Sequence, residues 1–179
     1  EDKSLVIALV ASDVDGDALT YSLDTDAING SVVIDGTVAT YTPTSNFNGI
    51  DSFVYMANDG ELSDTAEVAL TIDPVNDAPI LATVSDVSFD EDSSTSIILS
   101  GSDVDGDDLS YSISAGTDIT TTLSGSDVSF SAPTNFNGSE TFTILLSDGE
   151  LDDTQNITVT IIPVNDAPVA TAGLAGTTN

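Results

Sequence analysis

Two short segments, Asp13–Asp17 and Asp103–Asp107, read DVDGD and set carboxylates at alternate positions of a loop built on an Asp-Gly turn. Two others, Asp73–Pro79 (DPVNDAP) and Pro163–Pro168 (PVNDAP), hold Asn and Asp side chains between prolines. Clustered carboxylate and amide oxygens suit a hard cation. Calcium accepts six to eight oxygens in irregular geometry, whereas magnesium keeps its water and a strict octahedron. His and Cys are both absent, which removes the usual ligands of zinc and haem, the thiol nucleophile and the commonest general base. An isolated DVDGD is also an ordinary tight turn. It does not fit the EF-hand loop, because Ala18 and Asp108 stand where the turn glycine belongs and Ser114 where the second copy needs Glu.

Charge narrows the function classes further. The 179 residues carry 31 Asp plus Glu against one basic residue, Lys3, for a formal charge of −30. Nucleic-acid binding needs Lys and Arg against phosphate and is excluded; attachment to anionic lipid fails for the same reason. No apolar run is long enough for membrane insertion. Paired carboxylates could do glycosidase chemistry, but here they lie at loop tips beside turns. The acidity is therefore read either as a solvated surface or as a cation site. Hydrophobic residues make up 40% of the chain, too many for a disordered acidic tail, and Val, Ile, Thr and Ser are β-strand formers or turn residues.

The elements that must position the acids come in two copies. SDVDGDALTYSL at Ser12–Leu23 returns as SDVDGDDLSYSI at Ser102–Ile113, NFNG recurs at Asn46 and Asn135, and NDGEL at Asn58–Leu62 is echoed at Ser147–Leu151. The offset is 90 residues early in the unit and 89 later, as if one residue were lost in a loop. Short alternating runs separated by turn clusters predict β-sandwiches. The expected fold is all-β: two Greek-key, immunoglobulin-like seven-strand sandwiches in tandem, end to end. Their boundaries are 1–79, 80–168 and a start of a further repeat or tail at 169–179. The segment Ile80–Phe89 has no counterpart before Glu1, so the first repeat is expected to lack an opening strand A or to borrow one. Leu5, Ile7 and Leu9 are expected on one core face, Phe47 and Phe136 as plugs of the two cores, and Tyr21, Tyr55 and Tyr111 as buried.

Alternate loops of such a sandwich lie at opposite ends. DVDGD and the Asn58–Gly60 turn then share the top, and Glu1, Asn46–Gly49 and the linker share the bottom. This ordering would gather Glu1, Asn46, Asn48, Asp73, Asn76 and Asp77 toward Asp103, Asp105 and Asp148. For Asn46 and Asn48 the plainer reading is a turn capping its own backbone.

With these residues in place, the chain resembles the cadherin repeat. The order of a Glu before the second strand, DVDGD, an ND or SD turn and a terminal NDAP carries the likeness. The NFNG, DSF, DG and PVNDAP wording is closer still to cadherin-like repeats of large bacterial surface and secreted proteins. The resemblance implies Ca2+ as cofactor, with Asp103 and Asp105 as the DxD ligands, Asp148 in the turn, Asn76 and Asp77 in the linker and Glu1 near the start. Cadherins carry LDRE where NFNG stands and DxNDNAP where DPVNDAP stands, so Asn46, Asn48 and Asp73 depart from the family pattern. The function expected from the resemblance is a non-enzymatic, calcium-rigidified spacer or adhesion module, extracellular or at a bacterial cell surface. Its partners would be neighbouring repeats of the same chain, with cell-surface glycans or self-association as further options. A carbohydrate-binding module is the alternative; exposure of Tyr41, Phe47 or Phe136 would favour it.

Overall fold

The structure is a computed structural model, and it describes residues 1–170 and 173. The chain divides into two compact units, Glu1–Asn76 and Asp77–Asn179, termed here the first and second domains. Every regular element among the described residues is a strand. None is a helix long and apolar enough to cross a membrane.

The first domain has six strands: β1 (Leu5–Ala8), β2 (Thr20–Thr25), β3 (Gly30–Asp35), β4 (Val38–Pro43), β5 (Gly49–Asn58) and β6 (Ser63–Ile72). They form two three-stranded sheets, β1-β4-β3 and β2-β5-β6. Chain neighbours β1 and β2 lie in different sheets, which is the Greek-key pattern of an immunoglobulin-like sandwich. Side chains alternate between faces along each strand, so Phe53 and Tyr55 of β5 meet Ala39 and Tyr41 of β4 in the core.

The second domain repeats this plan as β9 (Ser94–Ile98), β10 (Gly101–Ser102), β11 (Ser110–Ile113), β12 (Thr120–Ser124), β13 (Asp127–Ser131), β14 (Gly138–Ser147) and β15 (Asp152–Ile162). Its opening segment adds β7 (Ile80–Leu81) and β8 (Val87–Asp90). β7 pairs with β10, then the chain changes sheets and β8 runs parallel to β15. The sheets are β9-β13-β12, β11-β14-β15-β8 and β7-β10. Phe142, Ile144 and Leu146 of β14 interleave with Ile157, Val159 and Ile161 of β15 inside, and Phe130 meets Phe142 edge to face at 5.8 Å. Each such side chain contributes roughly 1.5–3 kcal/mol through burial.

Four details differ from the sequence reading. The change of offset does not arise in a loop. Leu23 pairs with Tyr55 and Thr25 with Val54, so Asp24 is an extra residue carried as a bulge within β2. In the second domain β11 stops at Ile113, and the Ser114 N–H bonds the Thr143 carbonyl without an insertion. Leu5, expected inside with Leu9, is 51% exposed while Leu9 is buried; among the described residues, no strand of the first domain covers that end of β1. Phe136 packs on its core, whereas Phe47, half-buried, is not among the residues packed against the first core. Tyr55 is buried, and Tyr21 and Tyr111 are half-buried. The reading of Val169–Asn179 as a further repeat falls mostly outside the described residues.

Alternation also places a carboxylate in a core position. Asp51, two residues before Phe53, is 5% exposed. Its oxygens accept the N–H groups of Ile28 (3.1 Å), Asn29 (2.9 Å) and Ser52 (2.9 Å) and the Tyr41 hydroxyl (2.9 Å). Burial works to raise its pKa, but the backbone donors and Tyr41 outweigh it and hold the carboxyl below its ordinary value. Tyr41 is pushed up to about 12 by burial and by its bond to Asp51. Glu140 stands at the same position in the second domain and binds the N–H groups of Thr117 and Asp118 at 2.9 and 2.7 Å.

Asp51→Ala should therefore destabilise the first domain by about 2–4 kcal/mol, because three part-buried N–H groups and the buried Tyr41 hydroxyl lose their acceptor. The pH dependence has a definite sign. A depressed Asp51 stabilises above its unfolded pKa of about 3.9 and loses that contribution as pH falls through the folded value. A raised Tyr41 stabilises below about pH 10 and loses its contribution as pH rises through about 12. Chemical denaturation between pH 2 and 7 should show a shallower acid slope for Asp51→Asn than for the parent.

Candidate metal centre in the second domain

The two DVDGD loops fold alike at the backbone. Asp103 Oδ1 accepts the N–H groups of Asp105 (2.8 Å), Gly106 (3.0 Å) and Asp107 (3.4 Å). Asp13 Oδ1 does the same for Asp15, Gly16 and Asp17 at 2.8, 2.8 and 3.1 Å. The first Asp thus winds the loop around its own side chain, as Asx turns do. Gly106 has φ of +81° and Gly16 +85°, a region that a β-carbon disfavours.

The side chains then diverge in behaviour. Carboxylate oxygens of Asp103, Asp105 and Asp107 converge to within 4.8 Å of one another. Among the described residues, those of Asp13, Asp15 and Asp17 do not form such a group. In the second loop the Asp77 N–H donates to Asp105 Oδ2 at 2.8 Å. The linker that opens the second domain therefore pins the middle carboxylate of the loop. Asp103 commits Oδ1 to the turn, and its Oδ2 is buried with no hydrogen-bond partner. Three negative groups this close repel by up to roughly 3 kcal/mol per pair at an effective dielectric near 20, less where water screens them. A divalent ion would reverse the sign of that interaction, and oxygen-only ligands fit calcium.

Most of the other expected residues bond within their own domains. Asp148 Oδ1 caps its own turn, accepting Glu150 and Leu151 N–H groups at 2.6 and 2.7 Å; Asp59 does the same in the first domain with Glu61 and Leu62, both at 2.7 Å. Glu1 Oε1 accepts the Val75 N–H at 3.0 Å, and its amine donates to the Asp73 carbonyl at 2.9 Å. Asp73 is exposed and Asn76, at the end of the first domain, is half-buried. Asn46 offers its backbone rather than its side chain. Its N–H bonds Asp2 Oδ1 at 3.1 Å with φ of +60°, and Asn135 repeats this with Asp92 at 2.9 Å and +59°.

Two residues escaped the sequence reading. Asp107 belongs to the converging group, and the alternate spacing of DVDGD was the signal for it. Glu91, 8% exposed, repeats Glu1: it accepts the Val164 N–H at 2.7 Å, and Asn137 Nδ2 lies 3.5 Å from its other oxygen. The 90-residue offset pointed to it.

The sequence model of the bacterial Ig domain family matches residues 1–71 and again residues 76–160. The chain belongs to the bacterial Ig domain family. Chitinase A of Pseudoalteromonas piscicida is 30% identical over 154 residues, covering 83% of this chain and 19% of that protein. The chain thus spans about a fifth of that relative's length. Among solved structures, Drosophila N-cadherin EC1-4 matches with a TM-score of 0.57 at 17% identity, over 89% of this chain and 44% of that one. Human protocadherin-24 EC1-2 gives 0.54 at 18% identity, over 90% and 88%. These two likenesses are of fold, so the bacterial Ig domains here share the cadherin sandwich.

Without divalent ions, Asp107→Asn should raise the stability of the second domain by up to about 1 kcal/mol in low salt, since it removes repulsion without touching the turn. The gain should shrink at 1 M salt, where the Debye length is about 3 Å. Asp103→Ala should instead destabilise under both conditions, because three N–H groups lose their acceptor. Urea denaturation at two ionic strengths separates the two effects.

Proposed function

We propose that this pair of bacterial Ig domains is a non-catalytic, calcium-stiffened spacer or adhesion module of a longer extracellular protein. The observation that carries the reading is the Asp103, Asp105 and Asp107 group, with oxygens within 4.8 Å and Asp103 Oδ2 buried and unpaired. Calcium would bind where the linker enters the second domain. Asp103 Oδ2 and the Asp105 and Asp107 carboxylates would hold it, and the Asp77 N–H would keep Asp105 in place. Extracellular calcium modules bind with dissociation constants of roughly 0.1–1 mM, so such a site would fill outside a cell and empty inside one. The ion's effect is to fasten the linker to the loop it already touches, converting a hinge point into a stiff one. Neither His nor Cys accompanies the acids, which favours a mechanical role over catalysis.

A second reading has one observation behind it, the likeness to a chitinase. On that reading the spacer sits in a polysaccharide-active protein and holds its other domains apart. Direct sugar binding is less favoured, because sugar platforms use exposed rings, Trp is absent and Tyr41 is 1% exposed.

Thermal melts in calcium, in magnesium and in chelator test the proposal. Calcium at a hundredfold over its dissociation constant should stabilise the second domain by about 2.7 kcal/mol, and magnesium by far less. Asp103→Asn keeps Oδ1 as turn acceptor and should abolish the calcium response, while its melt in chelator shifts only by the balance of relieved repulsion and weakened turn bonds. Equal melts in all three solutions would leave the acidity as surface solvation.

A further inference from the structure

The opening segment and the last strand of the second domain lie side by side and run in the same direction. Backbone pairing between them is short: β8 meets β15 only over Val87–Asp90 and Val159–Ile162. Side chains extend it both ways. Ahead of β8, the Leu81 N–H donates to Asp153 Oδ2 at 2.8 Å, and Gln155 bonds the Leu81 carbonyl at 2.9 Å and the Val84 N–H at 3.0 Å. Next to the ladder, Asp86 Oδ1 accepts the Thr158 N–H at 2.7 Å. Beyond it, the Glu91 N–H reaches the Ile162 carbonyl at 2.9 Å, and Glu91 Oε1 accepts the Val164 N–H at 2.7 Å. Leu81, Phe89 and Glu91 are all buried along this line. A short ladder thus becomes a seam from Leu81 to Glu91 on one side and Asp153 to Val164 on the other.

The direction of the seam decides how it meets tension. A pull on the chain at both sides of the domain draws the opening segment toward its own start and β15 toward its own end. Because the two are parallel neighbours, these pulls are opposed along the seam, and its bonds are strained together. The other strands lie outside that path until the seam parts. An antiparallel pair pulled at adjacent ends behaves differently, since its bonds lie across the strands and open one after another.

We propose that this seam is the force-bearing element of the second domain, with Asp86 and Glu91 as the residues that lock its ladder at either end. The proposal rests on the spacer reading only for the source of the tension. Each lock is a carboxylate on a backbone N–H, a charge-assisted bond stronger than the neutral ladder bonds between them. The acids here act as fasteners within one domain and need no ion to do so.

The test holds the full chain by handles at its two ends and stretches it in chelator. A glycine-rich insertion at the Gly125 turn marks release of the second domain by its extra length. The second domain should release at a higher force in this geometry than when the first handle is moved to Ser139→Cys, a specific anchor in a chain without Cys. That handle loads adjacent ends of the antiparallel pair β14 and β15. Forced release is governed by the unfolding rate. At a fixed force, Asp86→Ala and Glu91→Ala should each speed end-to-end release by about tenfold and leave release from the Ser139 handle unchanged. Asp86→Asn and Glu91→Gln keep an acceptor oxygen and should restore most of the slow release. Glu140→Ala, off the seam, should lower the melting temperature without changing the end-to-end rate, because its bonds to Thr117 and Asp118 are still whole when the seam parts. Equal release forces in the two geometries overturn the proposal. So does an alanine variant that speeds both alike, since that is general destabilisation. Chelator separates this outcome from the metal reading: a missing calcium response leaves the seam standing, and a weak seam leaves calcium binding standing.

Discussion

A carboxylate accepting two or three backbone N–H groups is the interaction on which both domains depend. The chain has one basic side chain for 31 acids, so ion pairing cannot neutralise its loops. Instead Asp13 and Asp103 wind the DVDGD loops, Asp51 and Glu140 hold the chain ahead of β3 and β12, and Asp59 and Asp148 close the turns before β6 and β15. Each bond of this kind is charge-assisted and stronger than a neutral one. It also consumes acceptor capacity, leaving each of these acids fewer free lone pairs for an ion.

The division of acceptors isolates the candidate metal centre. Asp148 and Asp59 turn an oxygen inward to their own turns, and Glu1 and Glu91 bond the chain after the last strand of their domains. Asp103 alone among the converging acids has one oxygen committed to the loop and one buried without a partner. Local winding and ligand supply are thus divided between the two oxygens of a single side chain. A substitution that preserves the first while removing charge from the second distinguishes structure from binding.

The two domains also show how a repeated sequence yields unequal folds. Their strands, turns and capping acids agree closely, yet the second domain buries twelve apolar residues in its core cluster and the first seven. Leu81 and Phe89, from the opening segment, make part of the difference. The remainder follows from substitutions such as Ala39 for Val128 and Ala57 for Leu146, which leave the first core thinner.

Much of this was legible in the residues themselves. Period-two alternation, Asp-Gly turns and the internal offset determined an all-β pair of sandwiches, because strand periodicity and turn chemistry are local properties. The lack of His and Cys, and the carboxylates at loop tips, likewise determined that any metal would be a hard one held by oxygen. Tertiary structure decided the rest. Two identical pentapeptides, Asp13–Asp17 and Asp103–Asp107, have the same winding, and in the second a donor from outside the loop, the Asp77 N–H, meets Asp105 beside the converging carboxylates. Asp51 reads as a polar residue at a strand start and becomes a buried acceptor because Tyr41, Ile28 and Asn29 arrive from other strands and loops. Asp24 enters a strand as a bulge because its partner strand fixes the register on both sides. Hydrogen-bond direction and burial depend on which segments meet, and that is set by packing across the chain.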